Sequence, residues 1–322
     1  MRAQALSRYK MEFNHEPVLL QEIIEAFSAR EPGVLVDCTL GGAGHSRALL
    51  ESIDGLKLIG LDRDPTAIKV GQERLAEFGD RVTLVQACFS ELEAVLADLG
   101  VPGVDGLLAD FGVSSHQLDT PERGFSFRHD GPLDMRMNPE SGESAADLLK
   151  GISEEDLGAA IKEYGEERHA RRVARAILSA DPLPRTTGEL ADIVRSVVRP
   201  AKDGLDPATR TFQGLRILVN RELDEVGRWL ESSTRVLNDG GLVAAISFHS
   251  LEDRVVKQGF RAAAISCVCP PQFPICNCDT KATLKVLTRR PIIPSSEELG
   301  RNPRSRSSKL RLAERLPREV SS

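Results

Sequence analysis

Aromatic side chains are scarce in this 322-residue chain: one Trp, two Tyr and eleven Phe make up 4% of it. That excludes a surface built mainly from stacking platforms for single-stranded nucleic acid. Positive charge is not in excess either. Lys and Arg number 42 against 48 Asp and Glu, a net −6, so the protein as a whole is no basic coat for nucleic acid. No apolar run approaches the roughly 20 residues of a bilayer span. Met1 to Lys10 lacks the apolar stretch of a secretory signal. Six cysteines in a chain this long, without an export signal, argue against a disulfide scaffold. The expectation is a soluble, cytoplasmic protein whose 41% hydrophobic residues suffice for one large or two modest domains.

Four short apolar runs alternate with helical patterns over the first third. They are Val34–Cys38, Leu56–Asp62, Val82–Gln86 and Gly106–Asp110. Runs of this length, separated by helices, predict a parallel, doubly wound sheet. Residues 113–145 are rich in Pro and Gly, and 146–200 read as helices opened by Ser153 and Thr186 caps. Leu215, Leu218, Val219, Val226 and Leu230 predict one amphipathic helix over 213–236. Asn238–Gly241 reads as a turn, and Leu242–Ser247 as a buried strand that resumes the sheet. Leu284–Leu287 and Lys309–Leu312 alternate and fit antiparallel edge strands. The implied division is a core over 1–112, an inserted helical unit over 113–212, and the rest of the core over 213–322.

Charge is polarised toward the end of the chain. Lys281 to Arg318 holds eleven Lys or Arg and three Glu, a balance of +8; with the whole chain at −6, that leaves −14 elsewhere. Such a segment suits a phosphate-facing surface or a solvated tail, and charge alone does not choose between them.

Directly after the first strand comes Asp37-Cys38-Thr39-Leu40-Gly41-Gly42-Ala43-Gly44-His45-Ser46. Glycines there let the backbone turn tightly and approach a ligand. Asp62 closes the second strand, where a carboxylate can accept hydrogen bonds from both hydroxyls of a ribose. The pattern serves dinucleotides or S-adenosylmethionine. It lacks the Gly-x-Gly-x-x-Gly spacing that seats a pyrophosphate, which favours the latter. Phe89, after the third strand, either flanks an adenine or packs the core.

The fourth strand ends Asp110-Phe111-Gly112-Val113-Ser114-Ser115-His116-Gln117-Leu118-Asp119. Further on stand Arg123-Gly124-Phe125-Ser126-Phe127, Gly131-Pro132-Leu133-Asp134-Met135-Arg136-Met137, Thr209-Arg210-Thr211-Phe212-Gln213 and Ser247-Phe248-His249-Ser250-Leu251-Glu252-Asp253-Arg254. With these segments the chain, over about residues 11–315, resembles the bacterial small-subunit rRNA cytosine-N4 methyltransferases, the RsmH or MraW family. The resemblance implies a class I S-adenosylmethionine-dependent α/β fold, Rossmann-like, with a mostly parallel sheet, an antiparallel C-terminal strand and an inserted helical domain. It implies methylation of the N4 amine of a decoding-centre cytidine in 16S rRNA, within the small ribosomal subunit. It places cofactor contacts on Gly41, Gly42, Ala43, Gly44, His45, Asp62, Phe89, Asp110 and Gln117. Ala43 stands where many members have glycine; a methyl is the smallest Cβ penalty, and binding is expected to survive if φ stays negative.

Cytosine N4 is a conjugated amine and a poor nucleophile, so its catalyst must align it, accept its N–H bonds and exclude water. Asp110, at a strand end, suits that task. Many exocyclic-amine methyltransferases carry Asp/Asn-Pro-Pro-aromatic there, whereas this chain has Asp110-Phe111-Gly112-Val113, which leaves open whether Asp110 faces the amine or the cofactor. His249 either orients the amine or is structural, and His45 and His116 carry the same ambiguity. Phe125 and Phe127 either stack on an extruded base or pack their loop. Arg168, Arg171, Arg172 and Arg175 recur near one helix face and suit phosphates. Cys267, Cys269, Cys276 and Cys278 form two Cys-x-Cys pairs, less regular than zinc knuckles. No metal is assigned from them: zinc and reduced thiols in a proline-bearing loop both stay open. A nicotinamide-dependent oxidoreductase on the same layered fold and a non-enzymatic ribosome-assembly factor are the competing classes.

Overall fold

The computed structural model describes residues 17–31, 33–200, 204–269, 278 and 280–318. The four early apolar runs are strands: β1 (Val34–Asp37), β2 (Lys57–Asp62), β3 (Val82–Gln86) and β4 (Val104–Asp110). They are followed by β5 (Leu237–Ser247), β6 (Leu284–Val286) and β7 (Lys309–Arg315). The sheet order is β3-β2-β1-β4-β5-β7-β6. Pairing is parallel from β3 through β5, and antiparallel where β7 meets β5 and β6. The expected mostly parallel α/β sheet is therefore present.

Helices α1 (Leu20–Ser28), α2 (Gly44–Ser52), α3 (Pro65–Arg74) and α4 (Leu92–Asp98) cover the first half of the sheet, and α5 (Ser115–Asp119) follows β4. The two faces of the sheet bury separate cores. Leu35, Leu58, Leu108 and Ile246 face α1 and α2 on one side; Val36, Leu107 and Val243 face Trp229 and Phe260 on the other. A strand buried on both faces needs apolar residues at consecutive positions, which is why these runs do not alternate.

Between β4 and β5 come α6 (Ala145–Gly151), α7 (Glu154–Glu163), α8 (Ala170–Leu178), α9 (Thr187–Val197), α10 (Ala208–Asn220) and α11 (Glu222–Val236). Helices α6 to α10 share a third core with Phe125, Leu133 and Met135. The sequence-drawn boundary at 212/213 falls inside α10, because that helix serves both this core and the junction to α11. After β5 stand α12 (Ser250–Ala263) and α13 (Ser296–Arg301).

Three local expectations need correction. The helix expected over 213–236 is two helices, broken at Arg221 with φ 52°. Asn220 supplies the reason: its Nδ2 donates to Met135 O (2.7 Å) and its Oδ1 accepts from Met137 N–H (2.8 Å). Each half keeps an apolar stripe, so the spacing runs on through the break. Asn238–Gly241 is no inter-element turn but an excursion within β5. Leu237 pairs with Val104 and Leu242 with Gly106, so the exposed residues between them leave the ladder as a bulge. Finally, β7 is not an edge strand; it is enclosed by β5 and β6, and only β6 lies at that rim.

Candidate active site

Strands β1, β2 and β4 end in Asp37, Asp62 and Asp110, which brings three carboxylates to one edge of the sheet. The strand order reverses there, between β1 and β4, where open α/β sheets bind ligands. A cavity of about 440 Å³ opens at this edge. That volume lies within the range of small-molecule sites. Gly41, Gly42, Gly44, His45, Asp62, Phe89, Asp110 and Gln117 all line it. A depression of about 580 Å³ near α7 and α12, lined by Glu163, Glu166 and Arg254, holds none of these candidates.

The glycine loop is held from below. Asp37, itself buried, accepts from Ser46 Oγ (2.6 Å) and Thr39 N–H (3.1 Å). Asp62 Oδ2 accepts from Gly41 N–H and its Oδ1 from Asp64 N–H, both at 2.8 Å. Each oxygen of Asp62 keeps a further lone pair toward the cavity. Burial, with the charges of Asp64 and Asp37 adding, pushes its pKa up to about 6, even though the two N–H donors favour the ionised form.

Asp64 ties the opposite wall together. It caps α3 through Thr66 N–H (3.0 Å), and its Oδ2 accepts from Gln117 Nε2 (3.0 Å) and Arg123 (2.6 Å). Arg123 also donates to the carbonyls of Arg136 and Met137. The segments around Gln117, Arg123 and Arg136 are therefore joined at the rim of one cleft. Phe89 meets Phe111 edge-on at 5.4 Å, with its ring fixed on the cavity wall.

Asp110 is held differently. Its Oδ2 lies 3.8 Å from His45 Nδ1, and its Oδ1 has no hydrogen-bond partner among the described residues. His45 Nε2 lies 2.9 Å from Val18 O, which a carbonyl can only accept, so the ring proton sits on Nε2. Burial lowers the pKa of His45 and keeps the ring neutral, so the 3.8 Å contact is no ion pair. With no cation beside it, Asp110 is driven well above the ordinary carboxylate range by burial and by Asp37 and Glu252. An unsatisfied buried acceptor in a cleft is costly and marks a position that a ligand donor completes.

The sequence profile of the MraW methylase family matches residues 12–316. A ribosomal RNA small subunit methyltransferase H from Geobacter sulfurreducens is 53% identical over 313 residues, spanning 95% of this chain and 100% of that protein. The protein of that name from Heliobacterium modesticaldum is 49% identical over 313 residues, with the same coverage. The one from Citrifermentans bemidjiense is 51% identical over 311 residues, covering 95% of this chain and 99% of its own. The chain belongs to the MraW methylase family.

Membership in this methylase family brings S-adenosylmethionine as cofactor, and the cleft fits it. Asp62 offers acceptors at a strand end, Phe89 offers a ring face, and Gly41, at φ 49°, turns the loop without a Cβ.

Ala43 does not meet the condition of a negative φ. It sits at φ 58°, ψ 25°, fully buried, as the residue before α2. The loop closes only with a left-handed residue here, since Ala43 N–H donates to Leu40 O (2.7 Å) while its own carbonyl starts the helix. A methyl tolerates this at modest cost; a β-branched side chain does not. Ala43→Val is expected to destabilise the protein by about 3 kcal/mol through strain and overpacking. Urea unfolding would read this as a lower midpoint, and an unchanged midpoint would contradict the left-handed geometry.

His249 does not line the cavity. It precedes α12, where its Nδ1 accepts from Glu252 N–H (3.4 Å); its Nε2 lies 3.0 Å from Glu252 Oε1 but is not aligned for a hydrogen bond. Glu252 is completely buried and accepts from Phe248 N–H (2.8 Å). Burial raises its pKa, but the charges of His249 and Arg216 outweigh this and hold it below its ordinary value. Asp253 pairs with Arg311 at 2.7 Å, and Ser250 with Glu166 at 2.7 Å. The segment 247–254 thus joins β5 to β7 and to the inserted helices.

Phe125 is buried and Phe127 packs edge-on against Phe212 at 4.8 Å, which fits loop packing. Arg171, Arg172 and Arg175 share the exposed face of α8, with Arg168 just before it. In the basic segment Arg304 pairs with Asp119 and Arg311 with Asp253, so part of its charge is structural. Sequence reasoning missed Asp64 and Arg216 as wall residues, and Arg123 as the partner that holds Asp64. The Asp64-Pro65 helix start was the available signal for the first.

Proposed function

We propose that this chain methylates the exocyclic N4 amine of a cytidine in the decoding region of 16S rRNA, acting in the cytoplasm on rRNA within the small subunit. The observation that carries the chemistry is Asp110 Oδ1, a buried acceptor that has no partner among the described residues, in the cleft that contains the cofactor residues. The RNA assignment draws on the names of the relatives and on the motif segments shared with the family.

In this reading Asp62 accepts the ribose hydroxyls, Phe89 flanks the adenine, and Gly41 to His45 admit the amino-acid end. Gln117 contributes its remaining amide N–H, since its Oε1 accepts from Ser114 N–H and it also donates to Asp64. Ala43 shapes the loop without touching the ligand. When bound, the cofactor supplies an electrophilic methyl group on a sulfonium. Asp110 accepts an N–H of the amine, turns its lone pair toward that methyl, and takes up the proton released as the N–C bond forms. A carboxyl of raised pKa holds a proton more readily than an ordinary one. His249 positions α12 and touches no reactant. The arginines of α8 face the RNA backbone.

The test is mass spectrometry of the decoding-region fragment of 16S rRNA from cells with and without the protein, paired with labelled methyl transfer to subunits lacking the mark. One methyl on one cytidine N4 is expected. An unchanged fragment, or label on a different base or atom, would overturn the proposal.

A further inference from the structure

The described residues between α12 and β6 do not line the cleft. Of the four cysteines in this segment, Cys276 lies outside the described residues. The sulfurs of Cys267, Cys269 and Cys278 lie within 4.8 Å of one another. Cys278 Sγ and Cys267 Sγ are 3.8 Å apart, and Val268 N–H donates to Cys278 Sγ at 3.4 Å. We propose that these three thiols are ligands of a structural zinc ion.

Distance separates this from the alternatives. A disulfide brings its sulfurs to about 2.05 Å. Tetrahedral thiolates at about 2.3 Å from zinc stand about 3.8 Å from each other. The Cys267–Cys278 separation matches the second figure. A disulfide would also join two thiols and leave the third, whereas a tetrahedral ion uses all of them. An N–H aimed at sulfur supplies the hydrogen bond that supports a ligating thiolate.

The described residues around these thiols suit such a cross-link. The two ends of the segment are tied where Thr283 N–H donates to Ala263 O at 2.7 Å. Within it Ile265 is 38% and Val268 64% exposed, so these side chains form no core of their own. Segments too small to bury apolar surface obtain order from metals or covalent links. On binding, each thiol gives its proton to solvent, the zinc keeps its charge state, and no electron moves. The fourth tetrahedral position belongs to Cys276 or to water, and the experiment distinguishes them.

The full-length protein, purified without chelator, is expected to carry one zinc per chain by elemental analysis. Exchange for cobalt(II) should give an intense sulfur-to-cobalt charge-transfer band with the d–d bands of a tetrahedral centre. Cys267→Ser/Cys278→Ser should lose both metal and band. Cys276→Ser should weaken them only if that thiol is the fourth ligand. Two results would overturn the proposal: wild-type protein that retains no zinc and gives no cobalt thiolate band, or a Cys267–Cys278 disulfide in protein prepared without reductant. Neither readout requires methyl transfer, so the outcome is independent of the proposed reaction.

Discussion

Asp110→Asn is expected to lower the rate of methyl transfer by about 10²–10⁴-fold while cofactor affinity changes little. The amide still offers an oxygen to the amine N–H, but it cannot take up the proton. The wild-type rate should fall as pH drops through the raised pKa of Asp110, because protonation removes the acceptor; the variant should lack that limb. Stability should move the other way. A carboxyl whose folded pKa lies above its unfolded value favours the fold at low pH, and that contribution is lost as pH rises through the folded pKa. Above that point wild-type protein holds a buried charge with no partner among the described residues, so there Asp110→Asn should melt at a higher temperature than wild type. Loss of rate with gain of stability is the pattern of a group strained for function. Single-turnover kinetics and calorimetry across pH check both limbs. A variant that transfers methyl at the wild-type rate would remove Asp110 from the chemistry.

Asp62→Ala is expected to weaken S-adenosylmethionine binding by about 100-fold or more, since two hydrogen bonds to a charged acceptor are lost. The pKa of Asp62, about 6, makes the effect visible without mutation. The ionised carboxylate is the better ribose acceptor, so affinity should fall on acidification through about pH 6, approaching about tenfold per pH unit below it. Stability of the ligand-free protein carries the opposite sign: this group favours folding below its unfolded value and loses that contribution as pH rises toward 6. Titration calorimetry from pH 5 to 8 measures the binding limb. Flat affinity over that range would mean that Asp62 does not receive the ribose.

Much of the sheet was legible because buried parallel strands announce themselves as short continuous apolar runs between breakers. The Asp37–Ser46 loop and the terminal acids Asp62 and Asp110 followed from where strands stop. What stayed hidden depends on partners remote in the chain. The break at Arg221 arises from Asn220 bonding to Met135 and Met137, which no local pattern encodes. Asp64 reads locally as a helix cap, yet it also gathers Gln117 and Arg123. The left-handed Ala43 reflects loop closure above buried Asp37 and Ser46, not any preference of alanine. At a strand end the sequence left His249 open between a reactive and a structural histidine; the fold places it as the cap of α12.

The enclosed position of β7 has a consequence for synthesis. Every other strand leaves the ribosome before Lys309–Arg315 does, so β5 must wait with its outer edge bare and β6 without its neighbour. An unpaired edge of that kind invites association with other chains. Until residues 309–315 have been made the nascent polypeptide keeps that edge bare, and termination before residue 309 would yield a sticky fragment rather than a weaker enzyme.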